Sequence, residues 1–377
     1  MKFPSWFWIL ITGTVTVFLV TVLGWGWLVS QSSVKLLTGG VNTFPQSVVF
    51  LPKQTPGMVS LLVNPEKLHG WREVTLPLTQ RNRDRRAWQQ WEQDLFHKIG
   101  FDYRRDIKPW LGEEITVAIT SLDYDRRPQN GVQPGYLLAV ATVNSSRSQA
   151  CLQEFYRQQE LNNVTLQQYK GVNIIAPQSG NKGIDFWSSA IAGNTVLFAN
   201  HPQILQQAIN QAQAVSLNLS QSEDYQAAIN KLQPPHIAIA YLDVLAISAW
   251  LDKSTVPITP SNRQIFSGSL ALKQSDLFAQ TWLQVATLGE SSSHQSFLNY
   301  PELQQIIDSL PFDTHNLAYI PLQTGKSLLE EQIPLYKVSK LALKSLFPYL
   351  KAIAIRNLGI EDRLQRTEIL FELSQSP

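Results

Sequence analysis

The sequence predicts an α+β protein: an N-terminal transmembrane helix, then antiparallel sheets with helices packed on one face. Three observations carry that reading. Apolar strand-length runs outnumber the helical segments between them, and several lie at hairpin distance, which parallel strands with helical crossovers do not allow. One run of about two dozen residues, Trp6 to Val29, holds no charge. A theme of strand, polar cap, helix and returning strands occurs in both halves of the chain. Its period is irregular, so it marks at most a duplicated strand-helix-strand-strand unit and not a solenoid.

The apolar run comes first. As a helix it reaches about 36 Å, more than the roughly 30 Å hydrocarbon core of a bilayer. Trp6 and Trp8 stand at one end and Trp25 and Trp27 at the other, where aromatic belts meet the headgroups. A cleaved signal peptide has a shorter apolar core and ends in small residues; here the bulky tryptophans occupy that place, so the run reads as an uncleaved signal-anchor. Lys2 before it and Lys35 behind it give a one-charge lean towards a cytoplasmic N-terminus and an exported body. The expected organisation is residues 1–5 as a short cytoplasmic N-terminus and 6–29 as the anchor. A tether over 30–46 follows, then a first α+β domain over 47–215 and a second over 225–377.

The tether is rich in Ser, Gly, Thr and Gln. Order is expected from Ser47–Leu51, with Pro52 and Pro56 punctuating before a strand at Met58–Val63. An amphipathic helix covers Arg85–Ile99. Strands Ile115–Ser121 and Tyr136–Val143 form a hairpin, with Asn130-Gly131 as its turn signal. Asn144-Ser145-Ser146 caps a helix Gln149–Gln159. Strands follow at Val172–Ala176 and Thr195–Ala199, and Asn200-His201-Pro202 opens another helix with Pro in its first turn. The polar stretch Gln211–Asp224 is the expected seam. Beyond it come a strand at His236–Leu242, a helix through Trp250 and a hairpin of Ile265–Lys273 with Thr281–Ala286. Strands Leu317–Ile320, Leu350–Arg356 and Thr367–Leu373 close the chain, with a helix at Leu335–Phe347 between the first two.

Composition excludes several function classes. A hydrophobic content of 44% with 16% charged residues is that of a folded body, and about 350 residues beyond the span suffice for sizeable cores. A net charge of +2 gives no footprint for nucleic acid. Cys151 is the only cysteine, so neither a disulfide framework nor a thiolate zinc site exists.

No motif supplies a catalytic or cofactor site. Gln323-Thr324-Gly325-Lys326-Ser327 has the tail of a phosphate-binding loop, but Ile320 stands where the first glycine is needed and Pro321 lacks a donor; a helix cap fits better. The six histidines, at 69, 97, 201, 236, 294 and 315, include no i, i+4 pair. Asp123-Tyr124-Asp125 begins like a calcium loop, yet Arg127 and Pro128 take the places of a ligand and the turn glycine. No G-x-S-x-G elbow occurs, and Gly268-Ser269 lies mid-strand. Glu113 and Glu114 open a strand and so point to opposite faces, a poor acid–base pair. Cys151 reads as a packed thiol. No catalytic, cofactor-binding or metal residue is therefore named, and no cofactor is expected.

Two basic features remain. Arg81, Arg83, Arg85 and Arg86 precede the helix carrying Trp88 and Trp91, and are the candidate contacts to anionic lipid headgroups, against the plainer reading of a solvated loop. Lys337, Lys340 and Lys344 share one face of the 335–347 helix and suit water better than a membrane surface.

The chain resembles a cyanobacterial family of membrane-anchored, uncharacterised proteins, domain of unknown function 3352. The residues that carry the resemblance are Pro52 through Pro65, Asp106-Ile107-Lys108-Pro109-Trp110-Leu111-Gly112-Glu113-Glu114, Tyr169-Lys170-Gly171-Val172 and Val196-Leu197-Phe198-Ala199-Asn200. The resemblance implies a photosynthetic bacterial membrane as address and brings no catalytic residue. Each signature also has a structural reading, with Gly112 and Gly171 at turns and Asn64 and Asn200 at helix caps.

Three functions are expected from these readings. The leading one is a non-catalytic, single-pass membrane module facing the periplasm or thylakoid lumen. It would hold lipid through its N-terminal helix, bind a protein partner or aid assembly, and take no nucleic acid. The second is a carrier or sensor of an apolar ligand, for which Trp110, Trp187, Trp250 and Trp282 are candidate lining. The third is a hydrolase whose residues converge from distant segments.

Overall fold

The structure, a computed structural model, describes residues 39–65, 67, 82, 86, 102–158, 164–177, 188–252, 265–273, 276–284, 317–321, 350–361 and 364–373. The expected anchor 6–29 with Trp6, Trp8, Trp25 and Trp27 lies outside them, as do Arg81, Arg83 and Arg85. The Gln323–Ser327 loop and the 335–347 helix lie outside them too. Among the described residues no helix is long and apolar enough to cross a membrane.

Thirteen strands form one sheet. In chain order they are β1 (Gly57–Leu61), β2 (Leu111–Ser121), β3 (Gly135–Thr142), β4 (Val164–Tyr169), β5 (Val172–Pro177), β6 (Ser188–Ala192) and β7 (Thr195–Ala199). There follow β8 (Ala238–Asp243), β9 (Ile265–Lys273), β10 (Asp276–Gln284), β11 (Leu317–Pro321), β12 (Leu350–Glu361) and β13 (Leu364–Leu373). Across the sheet they run β11-β12-β13-β10-β9-β8-β1-β2-β3-β7-β6-β5-β4. Every pairing is antiparallel. Four α-helices belong to the described residues: α1 (Ser145–Gln158), α2 (Pro202–Gln213), α3 (Glu223–Ile229) and α4 (Val244–Asp252).

At the centre β1 lies against β8, with Val59 opposite Ala240. Outward from this pair the order is the same on both sides. One side reads β1-β2-β3-β7-β6-β5, the other β8-β9-β10-β13-β12-β11, and β4 is an additional outer strand. The first strand of each side precedes a hairpin, β2–β3 or β9–β10, and α4 lies between β8 and β9. The two expected domains, however, contribute to one continuous sheet through β1–β8.

Helices cover both faces of the sheet, which corrects the expected single face. The alternation of side chains along a strand decides this. Leu137 and Ala139 of β3, with Leu197 and Ala199 of β7, enter the large core that contains Ile204, Leu205, Ala208 and Ile209 of α2 and Ala228 and Ile229 of α3. The intervening Leu138, Val140, Val196 and Phe198 face the opposite way, onto Cys151 and Leu152 of α1 together with Tyr103 and Trp110. Helix α4 sides with α1, since the Trp250 indole N–H donates to the Tyr136 hydroxyl at 3.0 Å from the same face of β3. A strand buried on both faces loses the polar–apolar alternation that would have announced two layers.

Local chemistry accounts for the helix starts. Asn144 Oδ1 accepts from Arg147 N at 3.0 Å and caps α1. His201, not Asn200, caps α2: its Nδ1 accepts from Gln203 N at 3.2 Å, ahead of Pro202. Asn200 instead ties β7 to β3, accepting from Tyr136 N at 2.8 Å and donating to Pro134 O at 2.9 Å. Asn64 likewise spends its amide on the carbonyls of Leu111 and Gly112. Gly171, at φ +81° beside Lys170 at +48°, makes the two-residue turn between β4 and β5. Gly112 is not at a turn; a Cβ there would stand 2.8 Å from Ala141 O, so it permits close approach of β2 to β3.

Candidate functional site

The described part of the expected tether does not hang free. Val41 N donates to His236 O and His236 N to Val41 O, both at 2.7 Å, so this segment extends the sheet past the end of β8. Phe44 packs against the large core, and its ring lies 5.5 Å from that of His236. Order does begin here, as Ser47–Phe50 form a 3-10 helix with Val48 and Phe50 buried. Leu51 is fully buried and its carbonyl accepts from Leu219 N at 2.7 Å.

Glu114 fixes this segment. Its carboxylate accepts from the backbone N–H groups of Gln46 at 2.8 Å and Ser47 at 2.9 Å, the orphan donors at the start of the 3-10 helix. It also accepts from the Ser47 hydroxyl and, at 3.1 Å, from Thr116 Oγ1. Thr116 Oγ1 lies 2.6 Å from both Ser47 Oγ and Ser60 Oγ. One half-buried carboxylate thus terminates a chain of three buried hydroxyls. Glu113, on the other face as the strand geometry requires, accepts from Asn64 N at 3.2 Å and pairs with Lys67.

This network borders an open cleft of about 480 Å³, lined by Thr43, Phe44, Gln46, Ser47, Leu62, Gly112–Glu114, Ala141–Val143, Asn194 and Thr195. The proton acceptor that the Ser47 and Thr116 hydroxyls share is the Glu114 carboxylate, which the backbone N–H groups of Gln46 and Ser47 also engage. The expected aromatic lining is elsewhere. Trp110 is buried with its indole N–H on Asp106 O at 2.6 Å. Trp250 is held by Tyr136, whose hydroxyl burial pushes to about 12. Trp282 is on β10, in register with Arg366 of β13, and Trp187 lies outside the described residues.

The other lures are occupied or apart. Asp125 accepts from Asn130 Nδ2 at 2.6 Å and Arg127 N at 3.2 Å, and Asp123 from Gln133 N at 3.3 Å, so both carboxylates close their own hairpin loop. Among the described residues no group of His, Cys, Asp and Glu could hold a metal. Arg86 is exposed, with its Nε on Asn82 O at 3.2 Å, a helical spacing; the other three arginines of its cluster lie outside the described residues. Burial pushes the Cys151 thiol up to about 11. Native Cys151 is therefore expected to react with iodoacetamide at pH 8 on the order of a hundredfold more slowly than in the denatured chain. Labelling of the folded protein at the free-thiol rate would overturn that reading.

A family described as "Protein of unknown function (DUF3352)" matches residues 10–296. The chain belongs to this family. The match takes in β1 to β10 of this DUF3352 protein and ends before β11. No curated protein matches the chain. Two structures of TP0453 are distantly similar to it. Crystal form I aligns with 66% of this chain and 82% of its own at 7% identity and a TM-score of 0.30. Crystal form III aligns with 71% and 87% at 10% identity and 0.33, and a likeness of that degree is too slight to argue from.

Sequence reasoning did not find Ser47, Ser60, Thr116 or His236. Apart from Glu114 and Thr116, two residues apart, the hydrogen-bonded partners around the two glutamates stand 46 to 69 residues apart along the chain, and the one visible sign was hydroxyl residues set inside apolar strands. Glu114 was weighed only against its neighbour Glu113.

Proposed function

We propose that this DUF3352 protein is a non-catalytic, single-pass membrane module whose body faces the periplasm or thylakoid lumen of a cyanobacterial cell and binds a protein partner there. The observation that carries the reading is the Glu114 clamp together with the Val41–His236 bridge, which fasten the segment behind the apolar run to the sheet. Only residues 30–38 separate that run from the described body, and nine residues span at most about 30 Å. A fully extended tether therefore still keeps the body near the bilayer. A module so held suits presentation of a surface at fixed height better than free diffusion to substrates. The aromatics committed to packing favour it over the apolar-carrier reading.

Protease accessibility of a C-terminal tag in oriented membrane vesicles tests the proposal. Digestion from the extracytoplasmic side alone is the expected result, and digestion from the cytoplasmic side would overturn it. Mild solubilisation and crosslinking should then retain a partner in defined stoichiometry; an uncrosslinked monomer throughout would remove the binding role.

A further inference from the structure

We infer that residues Gly39–Phe44 form an acid-released strap, latched by His236 onto the end of β8 and poised to open when that imidazole takes a proton. His236 has no exposed surface, and among the described residues neither ring nitrogen has a hydrogen-bond partner. An imidazole that is neutral tolerates such a place poorly; an imidazolium, with two donors and a charge, requires water or an acceptor. The strap is packed on this imidazole, and its departure would admit water. It is joined to His236 by two backbone hydrogen bonds, and Phe44 lies against the ring. Gly40 is fitted to the contact, since a Cβ there would stand 2.3 Å from His236 O.

The described elements around the ring offer no counter-charge. The strap carries no titratable side chain from Gly39 to Phe44, and neither do Pro234, Pro235, Ile237, Leu62 at the end of β1, or Leu270 of β9, which receives Ile237 N–H. Burial alone acts on the imidazole and pushes it down to about 4 from an ordinary 6.5. The sign follows. Closure is fully favoured above about 6.5 and weakens as pH falls, tenfold per unit, to a limit of some 300-fold near pH 4. The Glu114 hold on Gln46 and Ser47 marks where release stops. Freeing residues 39–45 lengthens the tether by at most about 25 Å. That consequence for the height of the body rests on the membrane reading proposed above, whereas the opening itself does not.

Hydrogen exchange of the full-length chain in detergent micelles, corrected for the intrinsic rate, is the test. Between pH 7 and pH 5 the Val41 and His236 amides should lose protection by about tenfold or more while those of β7 (Thr195–Ala199) keep theirs. His236→Phe and His236→Leu, which cannot be protonated, should abolish the loss. Val41 protection that does not change with pH, that falls in step with β7, or that still falls in either variant would overturn the proposal. Should both variants fail to fold, the wild-type comparison of strap with β7 decides alone. Exchange reads the strap directly, so its result is separate from that of the tag experiment.

Discussion

Leu51→Ala is expected to destabilise the body by about 3 kcal/mol, read as a fall in denaturation midpoint at unchanged slope. Leu51 is fully buried, lies in the large core and immediately follows the 3-10 helix that Glu114 holds. Removing its isopropyl group leaves a void in that core, and Leu219, tied to the Leu51 carbonyl by its own N–H, is held from settling into it. Val49→Ala, at a half-buried neighbour, should cost about 1 kcal/mol or less. Were residues 47–51 a mere entry to the fold, both substitutions would fall within about 0.5 kcal/mol of wild type. A small effect at Leu51 would therefore sink the claim that this segment is core.

The contrast between elements that were legible and those that were not has a physical origin. Where neighbours in sequence pair, as in β2–β3, β12–β13 or Thr195–Ala199 leading into α2, apolar periodicity and turn residues suffice. Strand β4, Val164–Tyr169, escaped because it is an edge strand with four exposed residues and a single strongly apolar interior side chain, Leu166, which points to solvent. Strand β10 was displaced: Gln274-Ser275, between β9 and β10, offer no glycine, asparagine or proline as a turn signal, so the run Thr281–Ala286 drew the boundary too late. Strand pairing across the middle of the sheet leaves no local trace. Gly57–Leu61 accepts partners on both edges, Ile115–Ile119 and Ala238–Leu242, from opposite halves of the chain. Nothing in the strand itself states which. The candidate site fared the same way, since Glu114 earns its role from Ser47 and Thr116, and only the second of these is near it in sequence.

Glu114 is where the second large effect is expected. Glu114→Ala removes the acceptor for two backbone N–H groups and two hydroxyls, one of which, on Ser47, belongs to a residue only 5% exposed. Charge-assisted hydrogen bonds contribute about 1.5–3 kcal/mol each, but water reaches this half-buried carboxylate and takes up part of the loss, so about 3 kcal/mol in all is the expected cost. Glu114→Gln keeps the shape but turns an amide NH2 towards one of the backbone donors, and should cost about 1–2 kcal/mol. Exchange at Gln46 and Ser47 should accelerate in both, while the Val41 amide, held by His236 and not by Glu114, responds less. Thr116→Val deletes the hydroxyl that links Glu114 to Ser60. Because carboxylate and hydroxyl belong to one network, the double variant Glu114→Gln/Thr116→Val should lose less than the sum of the single changes, by about 0.5 kcal/mol or more. Strict additivity would mean that the hydroxyl chain merely fills space beside Glu114. In that case the hold on the segment behind the apolar run would rest on Leu51 and its neighbours alone, and the body's distance from the membrane would be set by packing and not by a polar clamp.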